Sequence, residues 1–274
     1  MRYFFAQVKN YLPKELPVAM HRGLDGHEMF EIFFKTMQAG GSYEESVTSL
    51  DEIVTRLTSE SNFESLKAYR YVLAFGARAY QEGWIPFSVE EHMSYPIGDD
   101  EYVYTPDIVF RWTSGVHRGD LFMLDYKFSA QAWTINELNV YQQGPKYVRY
   151  WNLVHGPDEQ IRHFGLVNLL TSAAQGATGE RLYKINWVPL DKAKLDRIQF
   201  ENENMVERVA TLKRKNGEDQ ANYMRTVNSF SCKRCFFAGD LCPVSLKGKP
   251  IDAYIEKNYR VNDYFKTNYG EQTK

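Results

Sequence analysis

The sequence predicts an α/β fold with a mixed central sheet, and three observations carry that expectation. The order of predicted elements is helix, strand hairpin, strand, helix, strand, which asks for a sheet covered by helices. No glycine-rich phosphate loop follows a strand and no P-loop is present, so a dinucleotide-binding Rossmann arrangement is excluded. At 274 residues, 43% apolar and 25% charged, the chain is one large domain, or one with an appendage, that can bury a substantial core.

Residues 24–38 predict a helix, because Met29, Phe30, Ile32, Phe33, Phe34 and Met37 make a broad apolar face. Gly40-Gly41-Ser42 breaks it. A helical pattern resumes from about 44 to 82 as two helices joined near Ser59–Asn62, and Gly83 ends it. Trp84–Val89 begins a strand-rich stretch, with Gly98-Asp99-Asp100 as a hairpin turn. One strand is expected over Tyr102–Trp112, a turn over Ser114–Asp120 with Asp120 an ordinary turn residue, and a further strand over 121–128. The run 134–152 reads as a helix that Gly144-Pro145 must start, kink or interrupt. Strands follow at 164–170 and 181–189, then a helix over 191–215. The expected organisation is a main domain over 1–225, with a helical insertion at about 44–82, and a cysteine-bearing segment over 226–274.

A formal net charge of −2 argues against coating a polyanion by bulk charge, so nucleic-acid binding would rest on local basic residues. Candidates are Lys146, Arg149, Lys213, Arg214, Lys215, Lys233, Arg234, Lys247 and Lys249. The N-terminus is charged too early for a signal peptide and no run of about 18 apolar residues occurs, so a cytoplasmic protein with no membrane partner is expected.

Asp125-Tyr126-Lys127 closes a strand-like run, so Asp125 and Lys127 leave the strand on one face. Tyr126 points the other way and leaves its backbone carbonyl free for a cation. An Asp-x-Lys arises about once by chance in a chain this long, so its weight rests on its companions. The nearest is Pro106-Asp107, on the preceding predicted strand. Two carboxylates on neighbouring strands with a lysine beside one suit Mg²⁺ and phosphodiester cleavage, because hard cations take oxygens from one or two acids plus water and phosphate.

Four motifs then stand in order: Gly23-x-x-x-His27, Pro106-Asp107, Asp125-x-Lys127 and Gln143-x-x-x-Tyr147. Over roughly residues 22–190 this set resembles the PD-(D/E)XK nuclease superfamily, in its RecB-like exonuclease branch. The resemblance implies a restriction-endonuclease-like mixed sheet flanked by helices. It implies Asp107, Asp125, His27 and the Tyr126 carbonyl as ligands of Mg²⁺ or Mn²⁺, the imidazole favouring the softer ion. Such an ion would polarise the phosphate and lower the pKa of a bound water. Lys127 would orient that water or stabilise the phosphorane charge. Gln143 and Tyr147 would contact DNA or the water, although Gly144-Pro145 interrupts their helix and makes Gln142 an alternative. Glu31, one turn after His27, is solvated helix surface or an added ligand.

Cys232, Cys235 and Cys242 form a C-x2-C-x6-C-P cluster, a spacing suited to zinc or an iron–sulfur cluster in a reducing compartment. The same branch includes nucleases that add an N-terminal cysteine to such a triplet to hold a [4Fe–4S] cluster. This chain has no N-terminal cysteine, so His21 as fourth ligand, a Cys3His zinc site and free thiols stay open. The expected activity is a metal-dependent DNA exonuclease of recombination, repair or viral and mobile-element DNA metabolism. Its substrate is DNA, single-stranded or with free ends, and a recombination or replication protein is a candidate partner. An endonuclease of the same fold and a non-catalytic nucleic-acid-binding module are the alternatives.

Overall fold

The computed structural model describes residues 11–13, 18–98, 100–134, 137–138, 141–216 and 259–261. The cysteine cluster and the basic residues Lys233, Arg234, Lys247 and Lys249 lie outside them. Two compact units divide the chain: Val18–Glu207, and the two ends Met1–Pro17 with Arg208–Lys274. In the second, β1 (Tyr11–Pro13) pairs antiparallel with β9 (Tyr259–Val261). The first unit carries the elements that position the site.

Helix α1 (Val18–Gln38) begins earlier than its apolar pattern predicts, and buries Met29, Phe30, Phe33 and Phe34. The expected pair of helices over 44–82 is four shorter ones: α2 (Tyr43–Thr48), α3 (Asp51–Ser59), α4 (Phe63–Leu66) and α5 (Tyr69–Gln81). The expected junction near Ser59–Asn62 separates α3 from α4, and the two further breaks fall at Ser49–Leu50 and Lys67–Ala68. Ser42 and Glu45 form a reciprocal capping box that starts α2. Ser61 adopts φ +54° after α3, and the Asn62 side chain then accepts from Ser65 N to open α4. Gly83, at φ +67°, stops α5 as its C′ residue.

Five strands form the central sheet in the order β2 (Trp84–Val89), β5 (Ile108–Trp112), β6 (Leu121–Ser129), β7 (Ile161–Leu170), β8 (Tyr183–Val188). Only β6 and β7 run parallel, joined across one face by α6 (Gln143–Val154); the other pairings are antiparallel. This is a mixed α/β architecture with a mixed sheet flanked by helices. Phe122, Leu124 and Tyr126 of β6 pack into one core with α1 and α5. Leu121 and Met123 point to the opposite core, where α6 supplies Val148 and Trp151. The period of two in β6 therefore feeds two layers from one strand.

The single strand expected over Tyr102–Trp112 is two. β4 (Asp100–Tyr104) pairs with β3 (Met93–Ile97) in a separate hairpin, and β5 starts only at Ile108. Pro106 lacks an N–H for the ladder, so the chain leaves one sheet there and joins the next. Asp107 consequently stands at the mouth of β5 rather than within it.

The helix expected over 134–152 is interrupted: residues 137–138 are helical, Tyr141 and Gln142 are not, and α6 then runs from Gln143 with Gln142 as N-cap and Pro145 in the first turn. A proline there sacrifices no helical hydrogen bond, whereas a helix running through from 134 would clash with its ring. Gly144 lets this turn approach β7 closely, since a Cβ would lie 1.9 Å from the Phe164 ring. Gly144→Ala should cost about 1–3 kcal/mol through overpacking, visible as a lower urea midpoint with unchanged slope. The long C-terminal helix α7 (Lys192–Asn216) matches its expected span closely. Among the described residues, no helix is long and apolar enough to cross a membrane.

Candidate metal centre

The end of β5 is where the site assembles. Val89 pairs with Ile108 across β2 and β5, so the next residue outward on each strand, Glu90 and Asp107, meet past the ladder. Glu90 N donates to the Asp107 carbonyl at 3.1 Å. Glu90 is held at φ +48°, a left-handed conformation that a non-glycine residue keeps only when its surroundings enforce it. Above this edge, α1 delivers His27, whose Nδ1 lies 3.1 Å from Glu90 Oε1 and 3.8 Å from Asp107 Oδ1. These three residues offer ligand atoms all within 4.8 Å of one another.

Asp125 comes from β6. Its residue is 1% exposed, and its Oδ2 lies 2.7 Å from Lys127 Nζ, the partner two positions on and on the same face. Neither Asp125 oxygen has a hydrogen bond of good geometry, and the buried Tyr141 hydroxyl beside it has none either. Pairing of β5 with β6 begins at Ile108–Leu124, which leaves Tyr126 past the end of β5. Its N–H donates to Asp107 Oδ2 at 2.6 Å. The N–H and C=O of one strand residue point the same way, so the Tyr126 carbonyl faces that same gap. The Tyr126 ring turns into the opposite layer and stacks on Phe30 at 4.2 Å between centroids.

The electrostatics are those of crowded buried acids. Burial, and then the charge of Asp107, push the Asp125 carboxyl up to about 6, against the opposing pull of Lys127 and Tyr141. Burial also raises Asp107, while His27 and Lys127 lower it. For His27, burial works against the charged form, but Asp107 and Glu90 outweigh it and raise the imidazole to about 9. Lys127 follows the same pattern, with Asp125 and Asp107 overcoming its burial. Three carboxylates, Glu90, Asp107 and Asp125, face only two cationic side chains, His27 and Lys127, and this excess of negative charge fits a divalent cation.

Of the expected ligands, the compact three-residue group contains His27 and Asp107 with Glu90, and Asp125 sits beside it in its ion pair with Lys127. Gln143 Nε2 donates to Tyr147 Oη at 2.8 Å along α6, so the two remain on one helix face despite Gly144-Pro145. The charges of Asp125, Asp107 and Lys127 all act on the Tyr147 phenol. Glu31 instead pairs with Lys35 at 2.6 Å. Lys146 and Arg149 are spent on α7, at Asn202 and at Gln199 with Asp196. Glu90 and Tyr141 were not expected. Glu90 follows a strand with no motif around it, and its place opposite Asp107 depends on the β2–β5 register.

No family model matches this sequence, and no curated protein matches it. Among solved structures the chain is similar to SSO0001 over 71% of its own length and 78% of that chain, at 14% identity and a TM-score of 0.33.

Proposed function

We propose that this chain is a metal-dependent DNA exonuclease with a restriction-endonuclease-like core of the RecB-like type, acting in the cytoplasm. The observation that carries the reading is the convergence of His27, Glu90, Asp107, the Tyr126 backbone and the Asp125–Lys127 pair at one sheet edge. The succession α1, β2, β5, β6, α6, β7, with β7 parallel to β6, supports the fold assignment.

His27, Asp107, Asp125 and the Tyr126 carbonyl would hold Mg²⁺ or Mn²⁺, which supplies Lewis-acid polarisation of a phosphodiester oxygen and activation of water. The chain's own groups do the rest. Glu90 Oε1, 3.1 Å from His27 Nδ1, holds the imidazole in place beside Asp107. Lys127 is held protonated beside Asp125, where it can orient the nucleophile and offset charge developing on the phosphate. Gln143 and Tyr147, hydrogen-bonded to each other, offer polar groups on the α6 face for the substrate backbone.

End-labelled single- and double-stranded DNA, incubated with the full chain and Mg²⁺ or Mn²⁺, should be degraded from its ends. A covalently closed circle should survive. Cleavage of the circle would reassign the activity to an endonuclease, and intact DNA throughout would overturn the reading.

A further inference from the structure

A second cluster of metal-ligating side chains lies at the other end of β6. Asp120 immediately precedes β6, and Asp125 lies five residues further on, about 16 Å along an extended strand. His117 Nδ1 is 3.5 Å from Asp120 Oδ2, and His163 Nε2, from the start of β7, is 3.7 Å from the same oxygen. All three ligand atoms lie within 4.8 Å of one another. The other Asp120 oxygen, Oδ1, is taken by Arg162 at 2.9 Å.

We propose that His117, Asp120 and His163 form a second metal site, for a borderline transition cation such as Zn²⁺, separate from the centre at Asp107 and Asp125. Two imidazoles and one carboxylate are a donor set for zinc and its neighbours, whereas Mg²⁺ prefers oxygen alone. Bonds of about 2.0–2.1 Å in a tetrahedron place ligand atoms about 3.3–3.4 Å apart. The two separations to Asp120 Oδ2 are already within a few tenths of an ångström of that edge. Arg162 holds the other oxygen and so turns Oδ2 toward the imidazoles, as outer-shell partners of metal carboxylates do.

The loop is built to keep this arrangement. Gly119 N bonds to Trp112 O at 2.8 Å, Asp120 N to His117 O at 2.9 Å and Trp112 N to Asp120 O at 3.2 Å. Gly115 and Gly119 take the positive φ values, +76° and +91°, that the tight turn requires. Trp112 lies beside both imidazoles, with ring centroids 5.1 Å from His117 and 5.0 Å from His163. A bound cation would tie the β5–β6 loop to the start of β7. With three protein ligands and His117 47% exposed, a fourth position stays open to water.

Titration of the metal-free full chain with CoCl₂, followed by visible absorption and equilibrium dialysis, tests this. The wild type should bind one more equivalent than His117→Ala combined with His163→Ala, and the lost component should lack thiolate charge-transfer bands. Asp107→Asn with Asp125→Asn should keep that equivalent, which separates the two sites. ZnCl₂ should raise the melting temperature of the wild type more than that of His117→Ala alone, a change on an exposed loop that leaves the core intact. Equal stoichiometry in wild type and double variant, or equal Zn²⁺ stabilisation of wild type and single variant, would overturn the proposal.

Discussion

Asp125→Asn is expected to abolish hydrolysis while making the metal-free chain more stable. The two effects share one cause. The carboxyl of Asp125 is pushed up to about 6 by burial and by Asp107 even with Lys127 at 2.7 Å, so its surroundings disfavour the charge that a cation requires. Ionising it at neutral pH costs the fold on the order of 1–3 kcal/mol relative to the unfolded chain. Asparagine keeps the shape and removes that cost. A melt in EDTA should rise by about 2–4 °C for each kcal/mol recovered. With Mn²⁺ the order reverses, because the wild type gains binding energy that the variant has lost.

Lys127→Ala separates charge balance from chemistry. It should lower hydrolysis by about 10²–10³-fold, the usual loss when an electrostatic group at a developing charge is removed. Its metal-free stability should fall rather than rise, since Asp125 is left beside Asp107 without its cation. Opposite signs of stability change in the two variants, with activity lost in both, is the required pattern. An Asp125→Asn protein that melts lower in EDTA, or that still degrades DNA, would remove Asp125 from the centre.

The parts of this site that could be read from sequence are those encoded by short-range periodicity. Asp125 and Lys127 share a face because a strand alternates, and Tyr126 turns inward for the same reason. What the sequence leaves hidden depends on long-range register. Glu90 reaches Asp107 only because Val89 pairs with Ile108, and its φ of +48° has no glycine or asparagine to announce it. Asp120 reads as a turn residue until β6 aligns Phe122 with His163, bringing that histidine beside the loop. The junction expected near Ser59–Asn62 is where Ser61 turns left-handed, whereas the breaks at Ser49–Leu50 and Lys67–Ala68 stay hidden because the chain keeps a right-handed helical backbone across both. The run over Tyr102–Trp112 misled in the opposite way. The residues on either side of Pro106-Asp107 suit strands, and the sheet assignment of each half shows that Pro106 divides them.

Proton linkage should be visible in the metal-free protein as two successive losses of stability on raising the pH. Asp125 binds its proton more tightly folded, at about 6, than its ordinary value of 3.8. Its contribution is therefore complete below pH 3.8 and is lost as pH rises through about 6. His27, raised from 6.5 to about 9, contributes fully below pH 6.5 and loses that contribution by about 9. Asp107, Glu90 and Lys127 all face His27, and the first two carboxylates outweigh the ammonium. A divalent cation competes with these same protons, so its affinity must rise where metal-free stability falls. Melting curves in EDTA and in Mn²⁺ should therefore diverge progressively from pH 6 to 9. His27→Gln should flatten the EDTA curve between about 6.5 and 9. An EDTA curve for the wild type that rises relative to His27→Gln across this window would mean that the imidazole is not held charged by Asp107 and Glu90.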